Sequence, residues 1–342
     1  MSDSIYIAVD AMGGDFGPRV IIPASLDALQ RHPRLNLKLV GQPQVLTPIL
    51  EQQLSNVSSE IAARVSVVAA ENVIPDDEKP SLALRKRKDS SMFRAISMVA
   101  DGEAQACVSA GNTGALMALG RFSLKMLPGI DRPAIITAIP SPGGASYMLD
   151  LGANVDCSAE HLLQFAIMGS VMTQAVEDIA APRVGLLNVG SEEIKGNEQV
   201  KLASRLIKEH GGLNYVGYIE GDDIFSDKVD VIVCDGFVGN IALKSSEGAA
   251  RFIRDQLRDG FAGSPMRRLL GMMAAPVLKE IGRRIDPSRR NGASLLGLQG
   301  IVVKSHGSAN QKCFGYALDQ AVKEVVMDVP SCINRQLEKH LG

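Results

Sequence analysis

Ser4-Ile-Tyr-Ile-Ala-Val9, then Asp10-Ala-Met-Gly-Gly-Asp-Phe-Gly-Pro18, then Val20–Arg31, is the stretch that decides the fold class. Ser4–Val9 reads as a strand, and Val20–Arg31 as a helix with Leu26 and Leu29 at helical spacing. Strand, glycine turn and helix in immediate succession form the unit of an α/β protein. Adjacent glycines, Gly13 and Gly14, let the backbone turn with positive φ and bring its N–H groups close to a ligand. Pro18 suits the first turn of the helix that follows. A helix N-terminus favours an anion by ~0.3–1 kcal/mol when exposed. The spacing is neither G-x-G-x-x-G nor a Walker loop, so no nucleotide is implied. Alone, the turn reads equally well as structural or as anion-binding.

The unit recurs. Leu35–Gly41, Val65–Ala69, Ala104–Ser109, Ala134–Ile139, Tyr147–Leu151, Arg183–Val189, Asn214–Ile219 and Val229–Cys234 read as strands. Ser90–Asp101, a segment from Thr113 and Glu160–Val176 read as helices, with Ser90 near an N-cap. The alternation predicts an α/β fold, a mainly parallel sheet sandwiched by helices, in one catalytic unit over residues 1–342 with a central cleft. In such sheets the loops at strand carboxyl ends carry ligands. Polar glycine turns fall after Val9, Val108, Leu151, Leu187 and Cys234.

Composition narrows the function. Net charge is −2 and aromatic residues are 4% with no Trp. A duplex binder or a stacking platform for single strands is not expected, so no nucleic-acid partner is implied. Cys107, Cys157, Cys234, Cys313 and Cys332 are scattered without metal-ligand spacing, which reads as reduced cytoplasmic thiols. The start, Met-Ser-Asp-Ser, lacks a signal-peptide pattern, and no apolar run approaches the ~18 residues of a membrane span. A cytoplasmic protein, free or on a membrane surface, is expected.

Residues 245–290 differ, with two helical patterns, Glu247–Phe261 and Met266–Arg284, and few strand signals. Arg267, Arg268, Lys279, Arg283, Arg284, Arg289 and Arg290 face only Glu280 and Asp286, a local balance of +5. Leu269, Leu270, Met272, Met273, Val277 and Leu278 lie between them. Basic flanks around an apolar centre suit either contact with an anionic membrane or packing on a sister subunit.

Several turns carry candidate chemistry. Ser109-Ala-Gly-Asn-Thr-Gly-Ala-Leu116 repeats the first turn, with Gly111 admitting a ligand and Asn112 and Thr113 supplying neutral polar groups. Leu149–Asp156 gathers Asp150, Asn154 and Asp156, which read as proton-sharing carboxylates, metal ligands or helix caps. Leu187–Glu198 holds Asn188, Ser191, Lys195, Asn197 and Glu198; Asp235–Lys244 places Asn240 and Lys244 four apart on one helix. Asn291-Gly-Ala-Ser294 and Lys304-Ser-His-Gly-Ser308 follow, and His306 is the only histidine in a glycine-flanked polar turn.

The ordered set resembles the bacterial phosphate acyltransferase family over nearly the whole chain. It comprises V-D-A-M-G-G-D from Val9, S-A-G-N-T-G-A from Ser109, D-R-P-A from Asp131, L-G-A-N-V-D from Leu151, G-L-L-N-V-G from Gly185, K-G-N-E from Lys195, D-G-F-V-G-N from Asp235, N-G-A-S from Asn291 and H-G-S from His306. Phe16-Gly17 departs from the family's His-Ala-like pair. The resemblance implies a fold like the phosphotransacetylases and isocitrate/isopropylmalate dehydrogenases. It implies a homodimeric, cytoplasmic, peripherally membrane-associated enzyme that needs no nucleotide cofactor. Such an enzyme moves a fatty acyl chain from acyl carrier protein to inorganic phosphate. The acyl phosphate passes to a membrane glycerol-3-phosphate acyltransferase for phospholipid synthesis.

The residues suit that chemistry. Phosphate is already a nucleophile, and a thiol of pKa near ~8.5 leaves readily. Alignment, anion binding and oxyanion stabilisation remain. The expected phosphate turns are Gly13, Gly14 and Asp15 with Gly111, Asn112 and Thr113; Asn154, Asn188, Asn240 and Lys244 are further substrate-binding candidates. Lys195 and His306 are expected to neutralise charge, and Asp150 or Asp235 to orient a donor or accept a proton. Arg85, Lys86, Arg87 and Lys88 are the expected docking face for the acidic carrier, and Leu269, Leu270, Met272 and Met273 the membrane contact. No metal is expected. The rivals are an NAD(P)-dependent dehydrogenase of the same fold, for which no dinucleotide fingerprint or metal cluster is found, and a non-catalytic carrier-protein or membrane adaptor, against which the number of polar turns argues.

Overall fold

The computed structural model describes residues 4–285 and 291–341, with side chains over 4–282 and 291–338. The first half contains β1 (Ile5–Asp10), α1 (Pro18–Arg31), β2 (Leu35–Gly41), α2 (Pro43–Leu54), α3 (Ser59–Ala62) and β3 (Val65–Ala69). It continues through α4 (Pro80–Lys86), α5 (Ser91–Ala100), β4 (Ala106–Ser109) and α6 (Thr113–Leu124). Then come β5 (Ala134–Ser141), β6 (Gly144–Leu149), α7 (Ala159–Glu177), β7 (Arg183–Leu187), α8 (Glu198–His210), β8 (Asn214–Ile219) and β9 (Val231–Val233). The chain ends with α9 (Gly236–Ala262), α10 (Pro265–Ile285), β10 (Ala293–Leu296), β11 (Ile301–Lys304), α11 (Gln311–Met327) and α12 (Val329–Leu341).

The strands form one eleven-stranded sheet in the order β3-β2-β1-β4-β11-β10-β5-β6-β9-β7-β8. β3, β2, β1, β4 and β11 are mutually parallel. β10 runs antiparallel to β11 and to β5, and β5 antiparallel to β6. β6, β9, β7 and β8 are again parallel. Three reversals therefore separate two parallel halves that run in opposite directions. The carboxyl ends of β1, β4 and β11 meet at one edge of the sheet, and those of β6, β9 and β7 at the other.

Helices cover both faces, as continuously apolar strands require. Ala8, Cys107, Met148 and Ile232 pack with Ile96, Leu116 and the Ala242–Leu243 start of α9 on one face. Ile7, Val108 and Val303 pack against α1 and α11 on the other. There too, α7 and α12 cover β5, β6 and β9 through Phe165, Met168 and Ile333. Ser158 and His161 form a capping box that starts α7.

The helical region begins earlier than its apolar pattern suggests. Asp235 accepts a hydrogen bond from Val238 N at 2.8 Å and caps α9, so the helix runs from Gly236. α9 and α10 form a hairpin that leaves large apolar side chains in solvent, Phe252, Ile253, Met266, Met272, Met273 and Val277 among them. Asp286, Arg289 and Arg290 lie outside the described residues, as do the side chains of Arg283 and Arg284. No helix among the described residues is long and apolar enough to cross a membrane.

Candidate active site

The edge where β1, β4 and β11 end gathers three of the glycine turns. A Cβ on Gly13 would lie 2.6 Å from Gly111 N, and one on Gly14 (φ +81°) 2.9 Å from Gly307 O. Asp15 N donates to Gly307 O at 2.9 Å, and Ser305 N to Ser109 O at 2.9 Å. Only residues without side chains let these turns touch. Beneath them Asp10 is buried and accepts from the Ser109 hydroxyl at 2.6 Å. Burial pushes its carboxyl above the usual range, against the hydrogen bond of Ser109.

Lys304 is the last residue of β11. Its ammonium donates to Ala110 O at 3.2 Å and to Ser305 O. Burial lowers its pKa to about 8, against the pull of Asp76, Asp10 and Asp15. The available signal was a lysine ending an apolar strand beside a glycine turn, but nothing in sequence set it apart from a surface lysine.

His306 follows. Its backbone N–H is held by Asn291 Oδ1 at 2.9 Å. Ser308 N donates to its Nδ1 at 3.2 Å. A backbone N–H only donates, so neutral His306 carries its proton on Nε2 and presents a donor. Partial enclosure, with the neighbouring Lys244 cation, holds its pKa below the ordinary value. Lys244 arrives on α9, which starts at the opposite sheet edge and runs back to this one. There Lys244 pairs with Glu247 at 2.9 Å.

Asn112 is committed. Its Oδ1 caps α6 through Ala115 N at 2.9 Å, and its Nδ2 donates to the carbonyl oxygens of Asp76 at 2.7 Å and Glu78 at 3.0 Å. The side chain ties a loop down and offers a ligand little. Gly111 N is likewise taken by Ser109 Oγ at 3.1 Å. The N–H groups of Gly13, Gly14, Thr113 and Gly114 have no hydrogen bond among the described residues, and Thr113 is exposed.

The other predicted residues assemble elsewhere. Asp150 is buried and accepts from Ile135 N (2.9 Å), Ala153 N (3.1 Å), Asn154 N (2.7 Å) and Asn154 Nδ2 (2.9 Å). Four donors hold its carboxylate and organise the turn after β6, while burial raises its pKa against those hydrogen bonds. Asn154 also holds Pro133 O at 2.7 Å. Asp235 caps α9, whose Gly239 is pressed against Asp150 O. Asn240 faces Gly152, with a Cβ there 3.5 Å from Asn240 Cβ. Asn188 Nδ2 closes its own turn onto Gly190 O (3.0 Å) and Lys195 O (3.2 Å). Lys195 is exposed and pairs with Glu192 at 2.9 Å. β7 and β11 run in opposite directions, so the turn that carries Lys195 and the turn that carries His306 leave opposite ends of the sheet.

Of the docking run, Arg85, Lys86 and Lys88 are exposed, and Lys88 sits 5.7 Å over the ring of exposed Phe122. Arg87 is drawn in to Glu78 at 2.9 Å and is not free to dock a partner. Leu269, Leu270, Met272 and Met273 are all exposed.

Comparison with known proteins fits this arrangement. Residues 5–332 match the family model described as fatty acid synthesis protein. A phosphate acyltransferase from Halorhodospira halophila is 54% identical over 342 residues, covering 100% of this chain and 98% of the relative. One from Alkalilimnicola ehrlichii is 56% identical over the same span, with the same shares. The chain belongs to the phosphate acyltransferase family. Its fold matches that of a phosphotransacetylase from Streptococcus pyogenes, at a TM-score of 0.64 and 15% identity over 95% of each chain. A Staphylococcus aureus phosphotransacetylase matches at 0.59 and 15% identity, over 96% of this chain and 94% of the other. Membership in this family makes the chain an enzyme of acyl transfer to phosphate.

Proposed function

We propose that the protein transfers a fatty acyl group from acyl carrier protein to inorganic phosphate at the edge formed by β1, β4 and β11. The convergence of the three glycine turns, with open N–H groups beside a neutral His306, carries this reading. A phosphate oxygen attacks the thioester carbonyl carbon and a C–O bond forms. The carbonyl electrons move onto oxygen, where the His306 Nε2–H stabilises the oxyanion, while the open backbone N–H groups of the Gly13–Gly14 and Thr113–Gly114 turns hold the phosphate. Collapse breaks the C–S bond, and the leaving thiolate takes a proton from solvent. No enzyme nucleophile is needed, and the four buried cysteines Cys107, Cys157, Cys234 and Cys313 serve as core residues.

The acidic carrier docks on exposed Arg85, Lys86 and Lys88, with Phe122 as an apolar anchor among them. The α9–α10 hairpin supports peripheral membrane association: its apolar side chains lie beside Arg267, Arg268 and Lys279, the composition of a surface-lying helix. The same stripe is available to a second copy in a homodimer. The product passes to a membrane enzyme that acylates glycerol 3-phosphate. Trapping with hydroxylamine tests the proposal: incubation with acyl carrier protein thioester and phosphate should give acyl hydroxamate, and no hydroxamate above a phosphate-free blank would refute it.

A further inference from the structure

We propose that Lys304 is the cation of the phosphate site, receiving a phosphate oxygen on the N–H that its two carbonyl partners leave unused. The inference rests on the reading above, that phosphate binds where β1, β4 and β11 end.

An ammonium has three protons. Two go to Ala110 O and Ser305 O, and these carbonyls pin the nitrogen between the turn after β4 and the turn after β11. No carboxylate lies within ion-pair distance of Lys304 among the described residues, unlike Lys195, Lys201, Lys208, Lys228, Lys244 and Lys323. An enclosed cation without a counter-ion is costly and marks a place prepared for an anion. The groups that face it are Asp10 from β1, Asp15 from the following turn, Asp76 from the loop before α4, Lys244 from α9 and His306 from its own turn. The carboxylates act on it from beyond contact. Asp10 is buried and held by Ser109, and cannot move to meet the lysine without breaking that bond. The open N–H groups of Gly13, Gly14, Thr113 and Gly114 lie on the two turns nearest it. Together they supply what a compact oxyanion needs: one charge and several dipoles.

The free site titrates near its lysine, with a pKa of about 8. A bound dianion favours the protonated form, so phosphate binding draws in a proton when the free lysine is neutral. Above pH 8, after phosphate's own second ionisation is complete, the apparent Kd for phosphate should rise about tenfold per pH unit.

The test is calorimetric titration of the full-length protein with inorganic phosphate, without carrier, at several pH values and in buffers of different ionisation enthalpy. Expected is proton uptake that grows from pH 8 and approaches about one per phosphate by pH 9. Lys304→Met should weaken phosphate binding at least tenfold and raise the phosphate KM while leaving the carrier KM in place. Lys304→Arg, which keeps its charge, should bind phosphate with no alkaline fall. Wild-type binding without proton uptake, or Lys304→Met binding phosphate as the wild type does, overturns the inference. If Lys304→Met does not fold, the wild-type proton uptake and Lys304→Arg decide alone. Acyl hydroxamate formed by a protein that shows no proton uptake would sink the lysine's role and spare the function; proton uptake without hydroxamate would do the reverse.

Discussion

The Lys304 ammonium donates to the Ala110 carbonyl oxygen across 3.2 Å, fastening the end of β11 to the turn after β4. Those strands are neighbours in the sheet but nearly two hundred residues apart in the chain. The bond is where the fold and the chemistry meet: a long-range parallel pairing delivers a cation to a turn that has none of its own.

The contact between the first two glycine turns should tolerate no side chain. Gly13→Ala places a methyl 2.6 Å from Gly111 N and 2.9 Å from Asp10 Oδ2. Overpacking of this kind costs about 1–3 kcal/mol. The displaced turn should lower kcat on the order of 100-fold. Gly102→Ala is the control: it has φ +75° and an empty surround, so it should lose about 1 kcal/mol by strain alone and keep its kcat. Chemical denaturation and steady-state kinetics read both. A Gly13→Ala enzyme with normal kcat would remove this turn from the site.

Asp150→Asn separates a turn organiser from a proton carrier. The amide offers one acceptor and one donor group to four N–H donors, leaving some unsatisfied at about 1–3 kcal/mol each. The variant should unfold at lower urea. A variant of unchanged stability but abolished turnover would restore Asp150 as a catalytic acid or base.

Glu324 should make stability depend on pH. It is buried under β10, where Ser294 Oγ and Gln320 Nε2 donate to its Oε1. Burial raises its pKa from 4.5 to about 7. Between those values the unfolded chain ionises while the folded one holds its proton, so stability falls as pH rises and levels off above 7. The span is worth roughly 3 kcal/mol. Glu324→Gln should flatten that part of the pH–stability curve and be more stable than wild type at pH 8. Parallel curves for the two proteins would contradict it.

Much of this was legible in sequence. β2 and β3 match their apolar patterns, and Ser90 caps α5 as its position predicts. The turns after β1, β4 and β11 stand out as an ordered set of polar glycine turns, since each one alone reads equally well as structural. What sequence could not show was which turns meet. β5 and β10 turn the sheet direction, and β10 and β11 are four-residue strands that form a local hairpin with each other but reach the sheet through non-local pairings, β10 with β5 and β11 with β4. Lys304 is not legible in sequence because the carbonyl that holds it, Ala110 O, belongs to another strand's loop.

The carrier's face should be separable from the phosphate site. Arg85→Glu with Lys86→Glu reverses two exposed charges that have no ion pair among the described residues. It should raise the KM for acyl carrier protein, more at low than at high salt, and leave the phosphate KM unchanged. Equal effects on both substrates would place docking elsewhere.

Direct attack by phosphate is tested most simply in a single turnover with enzyme in excess over acyl carrier protein thioester, following thiol release with and without phosphate. Thiol should appear only with phosphate present, matched one for one by acyl phosphate whose bridging oxygen derives from labelled phosphate. Release of thiol in the absence of phosphate, with the acyl group left on the protein, would contradict the account by revealing an enzyme nucleophile.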